Sequence, residues 1–165
     1  MESDLNIDKA ISTLIVDDHA VVRQGIRTFL SLQDDIDVCG EADSGESAIE
    51  QVSDLLPDVV LMDLIMPGEI DGIEATRIIK SVSPQTQVII LTSYHEDEHI
   101  FPAIKAGALS YILKEIPPAE LVNAIRNTAA GEAFMAPQVA SRIMAENQDL
   151  SSPFIQLSKR ELQVL

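Results

Sequence analysis

Short apolar runs alternate along the chain with longer stretches in which apolar residues recur at helical spacing. Four of the runs are rich in Val, Ile and Leu, lack polar alternation and lead directly into polar residues. They cover residues 11–16, 59–62, 88–91 and 110–113. This pattern predicts strands that are covered by helices on both faces. Residues 36–39 form a weaker run, which predicts a further strand, the second in chain order.

The stretches between and after these runs predict one helix for each strand. Apolar residues recur three or four positions apart, as on the buried face of a helix. Examples are Val21, Ile26, Phe29 and Leu30 in the first stretch, Ala48, Ile49 and Val52 in the second, and segments 73–79, 100–106 and 121–125 in the others. Right-handed crossovers between parallel strands produce a doubly wound sheet. We therefore predict an α/β fold with a doubly wound, five-stranded parallel sheet flanked by helices.

Polar residues whose side chains could take part in catalysis or binding follow four of the predicted strands. Asp17 and Asp18 follow the first strand and Asp63 follows the third. Thr92 follows the fourth and Lys114 the fifth. In a doubly wound sheet, ligands bind beyond the carboxyl ends of the strands. We therefore expect these five side chains to meet at one edge of the sheet.

Three carboxylates at one edge predict a hard divalent cation. Bringing Asp17, Asp18 and Asp63 within a few ångströms is electrostatically costly unless a cation lies among them. Mg²⁺ suits such a site because it takes oxygen ligands and commonly bridges carboxylates to a phosphate. A carboxylate can also attack a phosphoryl group and form an aspartyl phosphate. Lys114 and Thr92 would then contact the phosphoryl oxygens, which favours phosphoryl transfer as the chemistry of the site.

Composition narrows the class of protein and its partners. The 165 residues include 27 acidic and 11 basic side chains, so the net charge of -16 opposes direct binding of nucleic acid. The single cysteine, Cys39, excludes an internal disulfide framework. Residues 1–9 form an acidic extension without an apolar signal core, and nowhere are there 18 successive apolar residues. We therefore expect a cytoplasmic protein with no membrane association.

The ordered polar residues resemble those of a known family. They are Asp17, Asp18, Asp63, Thr92, Tyr111 and Lys114. Over residues 10–131 this set is similar to the receiver domain of two-component response regulators. The resemblance implies the flavodoxin-like receiver fold with strand order 2-1-3-4-5. It also implies that Asp63 is the phosphoacceptor, and that Asp63, Thr92 and Lys114 catalyse only the chain's own phosphotransfer and dephosphorylation.

The same resemblance assigns a metal site, a switch and partners. It implies that Mg²⁺ is bound by Asp18, Asp63 and the backbone carbonyl of Ile65, and by Asp17 through water. Thr92 and Tyr111 would be the switch pair: phosphorylation draws the threonine hydroxyl toward the phosphoryl group, and the aromatic ring turns inward. The implied phosphoryl donor is a sensor histidine kinase. Phosphorylation is then expected to favour a homodimer.

The C-terminal residues predict a link to a DNA-binding output. Residues 132–156 are expected to form a linker that contains a helix. Residues 157–165 predict a capped amphipathic helix, with Ser158 as N-cap and Glu161 at the capping-box position. This segment resembles the start of a LuxR-type helix-turn-helix, which suggests a transcription regulator of the NarL/FixJ class. We expect the chain to be truncated there, with DNA bound only through the missing C-terminal domain.

The loop after Asp63 departs from the usual receiver pattern. Residues 66–72 are one residue longer than the family's usual loop. Within it, Asp71 is predicted to cap the following helix and not to bind metal. Ile65 and Tyr94 are expected to flank the path of a water that attacks the phosphoryl group. Their bulk predicts slow dephosphorylation.

Other functions fit parts of the sequence. A phosphatase of the haloacid dehalogenase type also uses a strand-end Asp with Thr and Lys. Its D-x-D motif lies on an early strand, whereas Asp63 follows the third strand and has Ile65 two positions later. A pseudo-receiver that serves only as an interaction module is a further alternative. Residues 95–99 match the H-E-x-x-H zinc pattern, but a solvated helix start is the better interpretation.

Overall fold

In the part of the chain that it describes, the computed structural model contains a five-stranded parallel sheet flanked by helices. The strands are β1 (Ile11–Val16), β2 (Ile36–Ala42), β3 (Val59–Asp63), β4 (Gln87–Thr92) and β5 (Ser110–Leu113). The helices are α1 (Ala20–Leu30), α2 (Gly45–Leu55), α3 (Gly72–Val82), α4 (Ile100–Lys105) and α5 (Pro118–Ala129). The structure describes residues 9–93, 99–135 and positions 137, 140, 141, 144 and 145. The predictions for Tyr94, for the zinc pattern at 95–98, for most of the linker and for residues 157–165 lie outside the described residues.

The sheet is parallel throughout, and its strand order is β2-β1-β3-β4-β5. This confirms the predicted doubly wound topology. Neighbouring strands end at nearly the same height, since Val16 pairs with Met62, Asp63 with Leu91 and Thr92 with Leu113. The residues at or just after these ends are therefore brought to one edge of the sheet.

The core lies on both faces of the sheet, as the uniformly apolar runs predict. One face packs against α1 and α5 through Ile15, Leu61, Ile89, Ile112, Leu30 and Ile125. Successive strand residues point to opposite faces, and Val60, Met62 and Ile90 on the other side are fully buried as well. All five residues of β3 are buried. The central strand can therefore hold Asp63 in one fixed position.

Strand β2 is longer than the apolar pattern indicates. The sequence predicts residues 36–39, whereas the strand continues to Ala42. Gly40 lies so close to its neighbours that a Cβ there would be 2.6 Å from the side-chain oxygen of Gln51. The next residue, Glu41, forms ion pairs with Arg23 and Arg27 of α1. A polar residue is tolerated because β2 lies at the edge of the sheet.

The chain divides into two units after Phe134. Phe134 belongs to the first unit because its backbone pairs with β5. Its N–H donates to Ser110 Oγ at 2.9 Å, and its carbonyl accepts from the N–H of Tyr111 at 3.1 Å. The boundaries proposed for the linker and the output segment stay predictions.

No helix in the part of the chain that the structure describes has the length and hydropathy of a membrane span.

Candidate functional site

The three predicted aspartates meet at the carboxyl edge of the sheet. Asp17 follows β1 directly, and Asp63 is the last residue of the neighbouring strand β3. Both side chains are almost completely buried, while that of Asp18 is 24% exposed. One ligand atom from each of them, together with one from His19, can be chosen so that all lie within 4.8 Å of one another. The structure therefore brings together the three carboxylates that the sequence predicts at this edge.

Lys114 closes the cluster from the side of β5. Its Nζ lies 3.1 Å from Asp63 Oδ1 and 3.5 Å from Asp17 Oδ2. Its backbone N–H donates to the carbonyl of Thr92 at 2.7 Å, which ties the end of β5 to the end of β4. Burial lowers the pKa of Lys114, but the charges and hydrogen bonds of the two aspartates outweigh that effect and raise the pKa overall. Lys114 is therefore a cation held against Asp63.

The electrostatics of the cluster fit a divalent cation. Burial, with the neighbouring charge of Asp17, raises the pKa of Asp63 to about 7 despite the opposing effect of Lys114. Asp63 Oδ2 is buried and accepts no hydrogen bond from the described residues, and the same is true of Asp17 Oδ2. Buried carboxylate oxygens need a proton donor or a cation as partner. An oxygen-coordinated ion such as Mg²⁺ would supply that partner.

The two predicted switch residues lie on the adjacent strands. Thr92 ends β4 and is 2% exposed, and its Oγ1 lies 3.4 Å from the carbonyl oxygen of Ser93. Tyr111 lies on β5 opposite Ile90 and is fully buried. Thr92 is thus one position beyond Leu91, the residue that pairs with Asp63. The two switch residues thus lie on the strands whose ends are joined by the hydrogen bond from the Lys114 N–H to the Thr92 carbonyl.

The loop after Asp63 is pressed against the end of β3. A Cβ on Gly72 would lie 2.3 Å from the carbonyl oxygen of Asp63, so only glycine fits there. The side chain of Asp71 accepts a hydrogen bond from the N–H of Glu74 at 2.9 Å, which confirms its predicted role as N-cap of α3. Ile65 is 47% exposed at the surface of this loop. The loop therefore ends in a close backbone contact with the site.

The contacts that His19 and Arg23 make at the site were not predicted from the sequence. The Nδ1 atom of His19 lies 3.1 Å from Asp17 Oδ1 and 3.2 Å from Asp18 Oδ1. Arg23 Nη1 donates to the backbone carbonyl of Asp17 at 2.6 Å, and Glu41 pairs with the same guanidinium. One feature of the sequence could have indicated these residues, namely their proximity to the aspartates. His19 directly follows the aspartate pair, and Arg23 lies one helical turn later.

A family model described as the response regulator receiver domain matches residues 13–126. The chain belongs to this family. The match confirms the predicted receiver fold and does not favour the haloacid dehalogenase alternative. The acidic cluster lies at the carboxyl ends of β1 and β3, and the matched region runs from within β1 to within α5.

Similar proteins support a receiver of the NarL and LuxR type. The transcriptional regulatory protein LiaR of Bacillus subtilis strain 168 is 42% identical over 158 residues, which cover 94% of this chain and 74% of LiaR. A LuxR-family response regulator from Aurantimonas sp. SI85-9A1 has a TM-score of 0.77 and 35% identity, covering 84% of this chain and 99% of that one. A structure of two RcsB dimers bound to two parallel DNAs has a TM-score of 0.74 and 27% identity, covering 82% of this chain and 69% of RcsB. The chain is a two-component response regulator.

Proposed function

We propose that Asp63 accepts a phosphoryl group from a phosphohistidine of a sensor histidine kinase. The observation that carries this proposal is the environment of the Asp63 carboxylate. One oxygen lies 3.1 Å from Lys114 Nζ, and the other is buried and accepts no hydrogen bond from the described residues. A carboxylate oxygen of Asp63 attacks phosphorus, the phosphorus–nitrogen bond of the donor breaks, and the imidazole nitrogen keeps the electron pair and takes up a proton from solvent. The products are an aspartyl phosphate and a neutral histidine.

Mg²⁺ is the cofactor that this arrangement supports. Asp18, Asp63 and the backbone carbonyl of Ile65 would bind the ion, with Asp17 acting through water. When bound, the ion supplies positive charge to the oxygens of the transferring phosphoryl group. Lys114 supplies a further positive charge, and the Thr92 hydroxyl can donate to another phosphoryl oxygen. The chain's own residues therefore orient the group and neutralise its charge, and no other enzymatic activity is proposed.

The output of the phosphorylated state is proposed to be transcriptional. LiaR is a transcriptional regulatory protein, and RcsB dimers bind DNA, so the related chain is inferred to act through a homodimer that binds promoter DNA. The net charge of -16 over the 165 residues opposes binding of DNA by this part of the protein. DNA binding is therefore assigned to a LuxR-type domain that begins at residues 157–165 and follows the linker at 132–156. Such a regulator works in the cytoplasm.

Tyr111 and Thr92 are proposed to transmit the effect of phosphorylation from Asp63 to the rest of the protein. The ring of Tyr111 is fully buried, which corresponds to the inward position that the resemblance associates with the phosphorylated state. The phosphoryl group would hold the Thr92 hydroxyl at the site and leave space for this ring. Because the backbone N–H of Tyr111 also bonds to Phe134, a shift at β5 reaches the residue at which the first unit ends.

Intact mass after incubation with a small phosphodonor tests the proposal. We expect the native chain to gain one phosphoryl group only when Mg²⁺ is present. Asp63→Asn should gain none, because its amide is not nucleophilic. Asp71→Asn is the matched control, since Asp71 is an acidic residue of the same loop that caps α3, and it should be phosphorylated normally. A native chain that stays unmodified with Mg²⁺ would instead support the pseudo-receiver alternative.

A further inference from the structure

The side chain of His19 lies beside the acidic cluster, in contact with Asp17 and Asp18. It occupies the N-cap position of α1 in an extended conformation, and its side chain makes no capping hydrogen bond to the helix. Its backbone N–H instead donates to Asp17 Oδ1 at 2.8 Å. This contact turns the residue back toward the aspartates, so that the imidazole covers them while remaining 64% exposed.

The spacing of the imidazole nitrogen matches that of a metal ligand. In an octahedral shell with bonds of about 2.1 Å, neighbouring ligand atoms are about 3.0 Å apart and opposite ones about 4.2 Å apart. The Nδ1 atom of His19 is 3.1 Å from the nearest oxygen of Asp17 and 3.2 Å from that of Asp18. The whole set of four ligand atoms, Asp63 included, fits within 4.8 Å. This spread slightly exceeds the distance across an octahedral shell, so after a small side-chain shift one ion can bind His19, Asp18 and Asp63 directly, with Asp17 acting through water.

A second, independent observation points to a ligand at this position. The Asp63 side chain is 2% exposed, and its Oδ2 atom accepts no hydrogen bond from the described residues. Burying an acceptor oxygen in this way is unfavourable unless a bound group compensates it. Lys114 cannot do so alone, because its Nζ is bonded to the other oxygen of the same carboxylate.

Nitrogen and oxygen ligands select different ions. Carboxylate oxygens suit Mg²⁺, whereas imidazole suits Ni²⁺, Cu²⁺ and Zn²⁺ and adds little to a magnesium site. We propose that the site binds divalent transition-metal ions as well as Mg²⁺, and that His19 is a direct ligand for the transition metals only. This inference rests on the metal site of the proposed function. In the complex, Nδ1 gives its lone pair to the ion, and the ring proton resides on Nε2.

Calorimetric titration of the full chain with Ni²⁺ and with Mg²⁺ tests the inference. The chain has three histidines, so the titrations are done on a His95→Ala, His99→Ala protein in which His19 alone remains. His19→Asn is then added, because asparagine can still hydrogen-bond to Asp17 but cannot supply an imidazole nitrogen. We expect the Kd for Ni²⁺ to rise by at least about 10- to 100-fold. Loss of an outer-shell partner already weakens metal binding by this factor, and His19 would be a direct ligand. The Mg²⁺ Kd should stay unchanged.

Electron spin echo spectra of bound Cu²⁺ provide the direct readout. Modulation from an imidazole nitrogen should be present in the His19 protein and absent in His19→Asn. Equal weakening of Ni²⁺ and Mg²⁺ would overturn the inference, because His19 would then only position the aspartates. Binding of Mg²⁺ without any binding of Ni²⁺ would overturn it as well. Failure of both ions to bind the His19 protein would refute the metal site of the proposed function itself.

Discussion

The two ends of the parallel sheet differ in how their buried and half-buried polar groups are paired. At the amino end, Asp58 precedes β3, and its carboxylate accepts hydrogen bonds from the N–H and hydroxyl of Ser12 at 2.9 and 3.2 Å. Thr86 precedes β4, and its hydroxyl bonds to Ser83 and to the carbonyl of Pro57, both at 2.7 Å. At the carboxyl end, by contrast, Asp63 has a buried oxygen that accepts no hydrogen bond from the described residues.

This difference separates stabilising from functional carboxylates within one sheet. A buried polar group with its partners contributes to stability, and one that is crowded by like charge reduces stability. Asp58 and Asp63 lie at opposite ends of the same strand, so their surroundings and not their residue type decide the outcome. The carboxyl end is held in its unfavourable arrangement by the core and by close backbone packing. Substitutions at the two ends should therefore have different and sometimes opposite effects.

The largest effect is expected from Gly72→Ala. A Cβ at this position would lie 2.3 Å from the carbonyl oxygen of Asp63 and 2.8 Å from Leu64 Cα, and neither backbone atom can move easily. We expect the free energy of unfolding, measured by urea denaturation, to fall by about 3 kcal/mol. Phosphorylation of Asp63, followed by intact mass, should also slow because the end of β3 must shift.

Gly25→Ala is the matched control for this prediction. Gly25 lies within α1, and nothing would come within 4 Å of its added Cβ. Alanine is a better helix former than glycine, so this variant should gain roughly 0.5–1 kcal/mol. A Gly72→Ala protein as stable as the native chain would show that the close packing at the carboxyl end is not a constraint.

The next effect compares the two aspartates at the ends of β3, Asp58 just before the strand and Asp63 as its last residue. Asp58→Ala should lower the free energy of unfolding by about 2 kcal/mol, since it leaves the N–H and hydroxyl of Ser12 without their acceptor. Asp63→Asn should raise it by roughly 1–3 kcal/mol in metal-free buffer, because the folded state disfavours the buried charge that the amide removes. Urea denaturation of both variants in the presence of a chelator measures the two changes.

Mg²⁺ provides the control for this pair. Saturating Mg²⁺ should stabilise the native chain and Asp58→Ala to a similar extent, and it should stabilise Asp63→Asn much less. If both variants lost stability in metal-free buffer, the carboxyl end would not be under electrostatic strain. The contrast between the two ends of the sheet would then fail.

The sequence predicts which residues belong to the site better than it predicts their contacts. The apolar runs locate β1, β3, β4 and β5 because burial on both faces removes polar residues from them. The end of β2 is missed, since Glu41 is polar for a reason that lies outside the strand, namely its ion pairs with Arg23 and Arg27. Contacts of this kind join residues that are distant in sequence and carry no periodic signal.

The same limit applies within the site. Asp17, Asp63 and Lys114 are predicted together because each follows an apolar run and parallel strands end at a common edge. His19 lies beside them through the conformation of a single loop residue, with φ -97 and ψ 110. The backbone contact that requires Gly72 likewise depends on how α3 packs against β3. Neither follows from hydrophobic patterning, because both depend on packing distances of a few ångströms.

The smallest effect tests whether an ion pair without burial is enough to stabilise the amino end of the sheet. Asp35 precedes β2, and its carboxylate accepts hydrogen bonds from Arg126 at 2.8 and 3.0 Å. Unlike Asp58, this pair is exposed, with 44% of the Asp35 side chain and 43% of the Arg126 side chain accessible. We expect Asp35→Asn to cost at most about 0.5 kcal/mol at neutral pH, because solvent screens exposed ion pairs.

The pH dependence of that small effect has a defined sign. The hydrogen bond from Arg126 lowers the pKa of Asp35 below its ordinary value, so the folded state favours the charged carboxylate. The resulting stability is present above the pKa of the unfolded chain and is lost as the pH falls through the lower pKa of the folded state. The difference in unfolding free energy between the native chain and Asp35→Asn should therefore shrink on acidification. A loss at neutral pH as large as that of Asp58→Ala would contradict the comparison, because hydrogen-bond pairing without burial would then stabilise the amino end equally well.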